Sequence, residues 1–161
     1  MIFLLNLLIM IDHIAIAVNN LQESIKLYNE VLGFELVEKR TTQGEYSGMH
    51  SAVLNKNGTV IVLLESEGTN SQISQFIDAF GTGVQHVAIS VSNIEDTLSK
   101  LDAHENAAEI DIIEGDGIRQ VFLRRDIGSG VRLELIERNG GTFNDASINK
   151  MFRSFEEKKI C

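Results

Sequence analysis

Apolar and polar residues alternate with a period of two in IDHIAIAV (11–18) and in GVQHVAIS (83–90), the pattern of half-buried strands. Each run leads through an asparagine, Asn20 or Asn93, into a stretch with helical spacing, where a short polar side chain can cap the first turn. The two regions are copies: IDHIAIAVNNLQESIKL (11–27) lies without a gap on VQHVAISVSNIEDTLSK (84–100). Further on, VIVLLES (60–66) lies on RLELIER (132–138). The repeat predicts two β-α-β-β-β units. Strands are expected near 11–18, 34–40, 47–54 and 59–66, then near 84–91, 108–113, 118–124 and 131–138. Helices are expected over 20–32 and 93–103, with a connector over 70–79. NKNG at 55–58 signals a hairpin, and Gly33 stands where a helix would end. In SINKMFRSFEEKK the residues Ile148, Met151, Phe152 and Phe155 share one helical face, which predicts a closing helix near 145–158.

The fold class that follows is α+β: two tandem βαβββ modules, about 11–66 and 84–138, forming one metal-centred open barrel with a C-terminal helix. At 161 residues the chain is long enough for one domain with its own core. The domain is read as 11–161, preceded by an apolar extension, MIFLLNLLIM (1–10). That stretch is too short to span a bilayer and lacks the basic start and cleavage site of a signal peptide. It is read either as an upstream extension or as an arm that packs on a partner subunit.

Strand parity selects the candidate chemistry. If His13 points into the barrel, Ala15 and Ala17 do too, while Ile14, Ile16 and Val18 point out. In the second copy His86, Ala88 and Ser90 point in. Small neighbours beside a histidine leave an open cavity. Glu134 interrupts the apolar run Leu133–Ile136, where a buried, unpaired carboxylate would be costly. His13 and His86 are repeat-equivalent, and a two-fold arrangement brings Glu134 to the same centre. Two imidazoles and one carboxylate can hold one face of a divalent metal and leave the remaining positions open, the pattern of non-haem Fe(II) oxygenases. The repeat sets Val62 opposite Glu134, and valine cannot bind a metal, so three protein ligands are expected. His50 and His104 gain no support from the repeat, and His104, in a polar stretch, is expected at the surface.

Net charge is −9, from 14 basic and 23 acidic residues without a basic cluster, which makes nucleic acid and anionic membranes poor partners. The single cysteine, Cys161, excludes an intramolecular disulfide and fits a cytoplasmic location. Exposed barrel edges and the apolar start lead to the expectation of a homodimer.

Several segments, in order, resemble the vicinal-oxygen-chelate superfamily, and within it the catalytic C-terminal domain of 4-hydroxyphenylpyruvate dioxygenase and hydroxymandelate synthase. They are SQISQFIDAFGTGVQHVAIS (71–90), RQVFLRR (119–125), LELIERNGGTF (133–143) and NKMFRSFEE (149–157). The resemblance implies His13, His86 and Glu134 as Fe(II) ligands, Gln120 as the active-site glutamine, and Phe122, Ser51 and Phe143 as substrate-pocket residues. It implies a gating role for the closing helix, and a reaction in which a 2-oxo acid and O2 undergo oxidative decarboxylation. The family's P-L-N on the fourth strand appears here as Leu63-Leu64-Glu65. Glu65 would then either select a different substrate side chain or face solvent. Two other readings stay open. One is a metal-dependent epimerase, isomerase or lyase of the same superfamily, methylmalonyl-CoA epimerase-like or glyoxalase-like, using Co, Ni, Mn or Zn. Such epimerases usually carry Gln or Glu where Val62 stands. The other is a non-catalytic small-molecule-binding module.

Overall fold

A computed structural model describes residues 11–101 and 108–161. The apolar start and His104 lie outside the described residues. The first repeat runs β1 (Ile11–Val18), α1 (Leu21–Lys26) with a π-helical turn (Leu27–Val31), β2 (Glu35–Gln43), β3 (Gly48–Lys56) and β4 (Thr59–Glu67). Helix α2 (Gln72–Phe80) connects it to β5 (Gly83–Ser90), α3 (Ile94–Leu101), β6 (Ile113–Gly115), β7 (Ile118–Phe122) and β8 (Arg132–Arg138). Helix α4 (Asp145–Lys158) follows.

The local signals act as expected. Asn20 accepts from the Glu23 amide at 3.0 Å and Asn93 from the Asp96 amide at 2.8 Å, so the repeat-equivalent asparagines both cap helices. Asn57-Gly58 and Asp116-Gly117 take positive φ at both residues, which turns the β3–β4 and β6–β7 hairpins tightly with the twist of their strands. The first helix does not run unbroken to residue 32: it widens into the π-helical turn, and Gly33, at φ 74°, reverses the chain. Asn144 and Ser147 form a reciprocal capping box that starts α4.

One eight-stranded sheet, ordered β2-β3-β4-β1-β5-β8-β7-β6, carries the whole repeat. In each half the first strand runs parallel to the last, β1 beside β4 and β5 beside β8, and the halves join through the antiparallel pair β1–β5. The register keeps the repeat: Ala15 pairs with Val62 and Ala88 with Glu134. The strand expected over 108–113 differs. Its described part makes a single bridge, Ala108 to Leu123, and the ladder proper is only Ile113–Gly115. Ile110 and Ile113 still bury, packed with Phe122, Phe155 and Ile160, so apolar burial there proceeds without a continuous ladder.

The sheet's two faces have separate cores. Outside, Leu21 and Ile25 of α1 cover Ala52, Leu54, Ile61 and Leu63, while Ile94 of α3 covers Val121 and Leu135. Inside, Ala15, Ala17, Met49 and Leu64 pack against Ile73 and Phe76 of α2 and Phe152 of α4. Helices α2 and α4 thus close the concave face. The turn after β8 lies so near the β6–β7 turn that a Cβ at Gly141 would stand 1.8 Å from the Asp116 carbonyl oxygen.

Candidate metal centre

His13 on β1, His86 on β5 and Glu134 on β8 converge at the middle of the concave face, all buried. Their Nε2, Nε2 and Oε2 atoms form a triangle: 3.3 Å between the histidines, 3.4 Å from His13 to Glu134 and 3.2 Å from His86 to Glu134. With metal–ligand bonds of about 2.0–2.2 Å, donors a right angle apart stand ~3.0 Å from each other and tetrahedral donors ~3.4 Å. The triangle has the size of a three-donor face. It is the one group of three potential ligands found among the described residues.

The hydrogen-bond roles show what the triangle needs. His13 Nδ1 donates to Asp12 Oδ1 at 2.9 Å, and His86 Nδ1 bonds Gln85 Oε1. Each neutral ring therefore turns an Nε2 lone pair inward, toward a carboxylate that has only lone pairs to offer. Glu134 Oε1 is buried and has no hydrogen-bond partner among the described residues. Three acceptors facing one point, plus an unpartnered carboxylate oxygen, call for a cation. The titration behaviour agrees. Burial pushes the His13 pKa down, but hydrogen bonds to Asp12 and Glu134 and their charges raise it to about 9. Without metal, a proton on His13 supplies the positive charge. Burial keeps His86 below its usual range. Burial pushes Glu134 up, yet the two imidazoles hold its carboxyl below the ordinary range.

Asp12 and Gln85 escape a period-two reading. Ile11 pairs with Ile89 and His13 with Ala88, so Asp12 is the extra residue of a β-bulge. Gln85 is likewise extra on β5, between the pairs Ala15–His86 and Ile16–Val84. Bulges re-aim side chains, and here both repeats place the residue before the histidine against that histidine's Nδ1. Behind Asp12, Arg138 donates from Nε to Oδ2 at 2.6 Å and from Nη2 to Oδ1 at 2.8 Å. Burial pushes Asp12 up, but hydrogen bonds from Arg138 and His13 hold its carboxyl far below the usual carboxylate range.

A cavity of about 390 Å³ opens from the triangle. Gln120, Ser51, Phe122 and Phe143 all line it. The Phe122 ring meets His86 edge-on at 5.1 Å between centroids, and Phe143 meets His13 at 5.9 Å. Gln120 is buried with neither amide atom hydrogen-bonded among the described residues, and Gln72 Oε1 on α2 is in the same condition. Gln72 was not expected. Its signal is a polar residue on the buried face of α2, beside Ile73 and Phe76. The remaining wall is largely aliphatic, including Met49, Val62, Leu64, Ile148 and Met151.

Glu65 does not belong to this group, which corrects the expectation of a substrate contact. On β4 the residues Val60, Val62 and Leu64 line the cavity, so parity turns Glu65 to the outer face. There its Oε1 accepts from the Leu21 amide at 3.3 Å, at the start of α1. Its repeat partner Glu137 accepts from the Ile94 amide at 3.2 Å, at the start of α3. Glu65 is a helix-end anchor, and Leu64 is the inward residue of that segment. His50 bonds Thr41 at 2.9 Å and lines a separate depression.

Paired βαβββ modules round three buried side chains that could together hold a metal ion are the arrangement of a vicinal-oxygen-chelate protein. The chain belongs to the Glyoxalase/Bleomycin resistance protein/Dioxygenase superfamily, whose model matches residues 10–123. It is 34% identical over 132 residues to the mitochondrial methylmalonyl-CoA epimerase of Dictyostelium discoideum, covering 80% of this chain and 78% of that one. It is also 34% identical over 102 residues to 4-hydroxyphenylpyruvate dioxygenase of the same organism, covering 57% of this chain but 28% of the relative. Among solved structures, a mutant 4-hydroxymandelate synthase from Streptomyces coelicolor superposes with a TM-score of 0.80 at 20% identity, over 94% of this chain and 54% of the synthase. The chain thus spans about half the length of the synthase and under a third of the dioxygenase. No helix of the described residues is long and apolar enough to cross a membrane.

Proposed function

We propose that this protein is an Fe(II)-dependent dioxygenase that oxidatively decarboxylates a 2-oxo acid with O2, releasing CO2 and a hydroxylated acid. The observation that carries the reading is Val62. It faces the cavity at the point where the repeat would supply a counterpart to Glu134, so three protein donors stand beside an apolar wall. His13, His86 and Glu134 would hold the ion. Iron bound there would supply a Lewis acid and electrons for the reduction of dioxygen.

The other roles belong to side chains. Gln120 offers an N–H donor and a carbonyl acceptor, both without partners among the described residues, to orient the substrate. Phe122 and Phe143 flank the histidines and keep water from the reacting end. Met49, Leu64, Ile148 and Met151 suit an uncharged aromatic or branched side chain. Helix α4, which carries Ile148, Met151 and Phe155, closes over it.

A second reading, a metal-dependent epimerase, rests on the 34% identity to the Dictyostelium epimerase over most of both chains. It needs a free acid–base carboxylate in the cavity. The described carboxylates there are engaged: Asp12 by Arg138, Glu38 by Arg40, and Glu134 by the two histidines. Anaerobic addition of phenylpyruvate to the Fe(II)-loaded protein separates the readings. A visible charge-transfer band supports the dioxygenase; metal-dependent exchange of an acidic C–H with solvent deuterium, with no such band, supports the epimerase.

A further inference from the structure

We infer that Arg138 is a positioning residue: acting through Asp12, it fixes the orientation of His13 and ties that ligand to the turn that carries Phe143. The inference rests on the metal reading of the triangle, and not on the oxygen chemistry. The β-bulge at Asp12 puts a carboxylate behind His13, where it accepts the Nδ1 proton and leaves Nε2 as the donor atom. A carboxylate there needs its own anchor, because its side chain is largely buried. Arg138 provides two parallel N–H···O bonds, the fork geometry that sets a carboxylate's plane as well as its place. The same guanidinium reaches forward: Nη1 donates to the Gly141 carbonyl at 3.3 Å, and its carbon sits 5.0 Å from the Phe143 ring centroid. Phe143 in turn meets the His13 ring. One side chain therefore touches the support of a metal ligand and the turn that walls the cavity.

The repeat shows that this is a separate device. The Nδ1 partner of His86 is Gln85, a neutral amide to which no arginine is hydrogen-bonded among the described residues. Residue 66, the repeat counterpart of Arg138, is Ser66, whose hydroxyl bonds Gly68 and Ser71. Among the described residues the charged pair stands on the His13 side alone.

The test measures Co(II) affinity and the visible Co(II) spectrum for the wild type, Asp12→Ala, Arg138→Ala, Arg138→Lys and the double alanine variant. Loss of a ligand's outer hydrogen-bond partner typically costs about 10–100-fold in metal affinity. Asp12→Ala is expected to lose that much, Arg138→Ala part of it, and the double variant no more than Asp12→Ala alone. Arg138→Lys is expected to recover part of the loss, since a single ammonium can hold one carboxylate oxygen. Arg119→Ala breaks a comparable network with Glu95, Glu114 and Glu137 on the outer face and should leave Co(II) affinity unchanged. Should Arg138→Ala not fold, Arg138→Lys and Asp12→Asn carry the same comparison. Wild-type affinity and spectrum in the Arg138 variants, or losses that multiply in the double variant, overturn the inference. A wild type that binds no Co(II) overturns it together with the metal reading, whereas binding without oxygen uptake leaves it standing.

Discussion

Val62 and Glu134 hold matching places in the two halves of the sheet. Val62 pairs with Ala15 and Glu134 with Ala88, and both side chains face the cavity. This difference between the copies makes the site three-sided. Val62→Glu would restore a carboxylate to the vacant corner. Divalent metal should then bind about tenfold tighter or more, while oxygen-dependent turnover falls by a similar factor as an open position is lost. Unchanged affinity and turnover would mean that position 62 does not reach the metal.

Glu134→Ala removes the only carboxylate of the triangle. Metal retained through gel filtration should drop to background, by at least about 100-fold in affinity. The fold should persist, because the sheet register depends on the backbone and the two cores, neither of which uses this carboxylate. Metal analysis with circular dichroism on the same sample checks both halves of the statement.

The correction at Glu65 makes an opposite pair of outcomes. Glu65→Ala should cost about 0.5–2 kcal/mol of stability, the range for losing a helix-start acceptor, and should leave metal binding and substrate preference unchanged. Leu64→Asn, one residue earlier and facing inward, should shift preference toward substrates with a polar side chain. Thermal unfolding and a substrate panel on the two variants read this directly.

Metal binding should be proton-linked. In the metal-free protein the His13 pKa is raised from 6.5 to about 9, so the ring is protonated at neutral pH and must lose that proton to bind. Apparent affinity should rise with pH, by up to about tenfold per unit below pH 9, and level off above it. The stability of the apo-protein runs the other way. A pKa raised on folding stabilises fully below the unfolded value of 6.5, and that contribution fades as pH rises through about 9. Calorimetric titration in two buffers of different ionisation enthalpy gives the proton count.

The residues that were legible in the sequence share a physical reason. His13, His86 and Glu134 lie on regular strands within a repeat, where period-two parity and gapless alignment fix which way each points. Asn20 and Asn93 were legible as caps because capping is a local interaction. Asp12 and Gln85 were not, because a bulge breaks the parity and only the pairing of β1 with β5 reveals the extra residues. For Glu65 the sequence left a substrate contact and a solvent-facing role both open, and the substrate contact fails because one residue along β4 reverses the face, so that Leu64 points inward. The short β6 escaped as well: Ile110 has strand-like apolarity but buries beside Phe122 and Phe155 outside the ladder, which begins only at Ile113. Arg138 required the tertiary structure, since its partner Asp12 lies at the far end of the chain.

The measurement that tests the central claim most directly is oxygen consumption with parallel CO2 release. The protein, loaded anaerobically with Fe(II), would be given 4-hydroxyphenylpyruvate, phenylpyruvate and branched aliphatic 2-oxo acids. The account predicts one CO2 released per O2 consumed, lost in Glu134→Ala, with preference for acids whose side chains are uncharged. Bound iron with no oxygen uptake from any acid, accompanied by solvent-deuterium exchange into an acyl thioester, would contradict it and favour the epimerase.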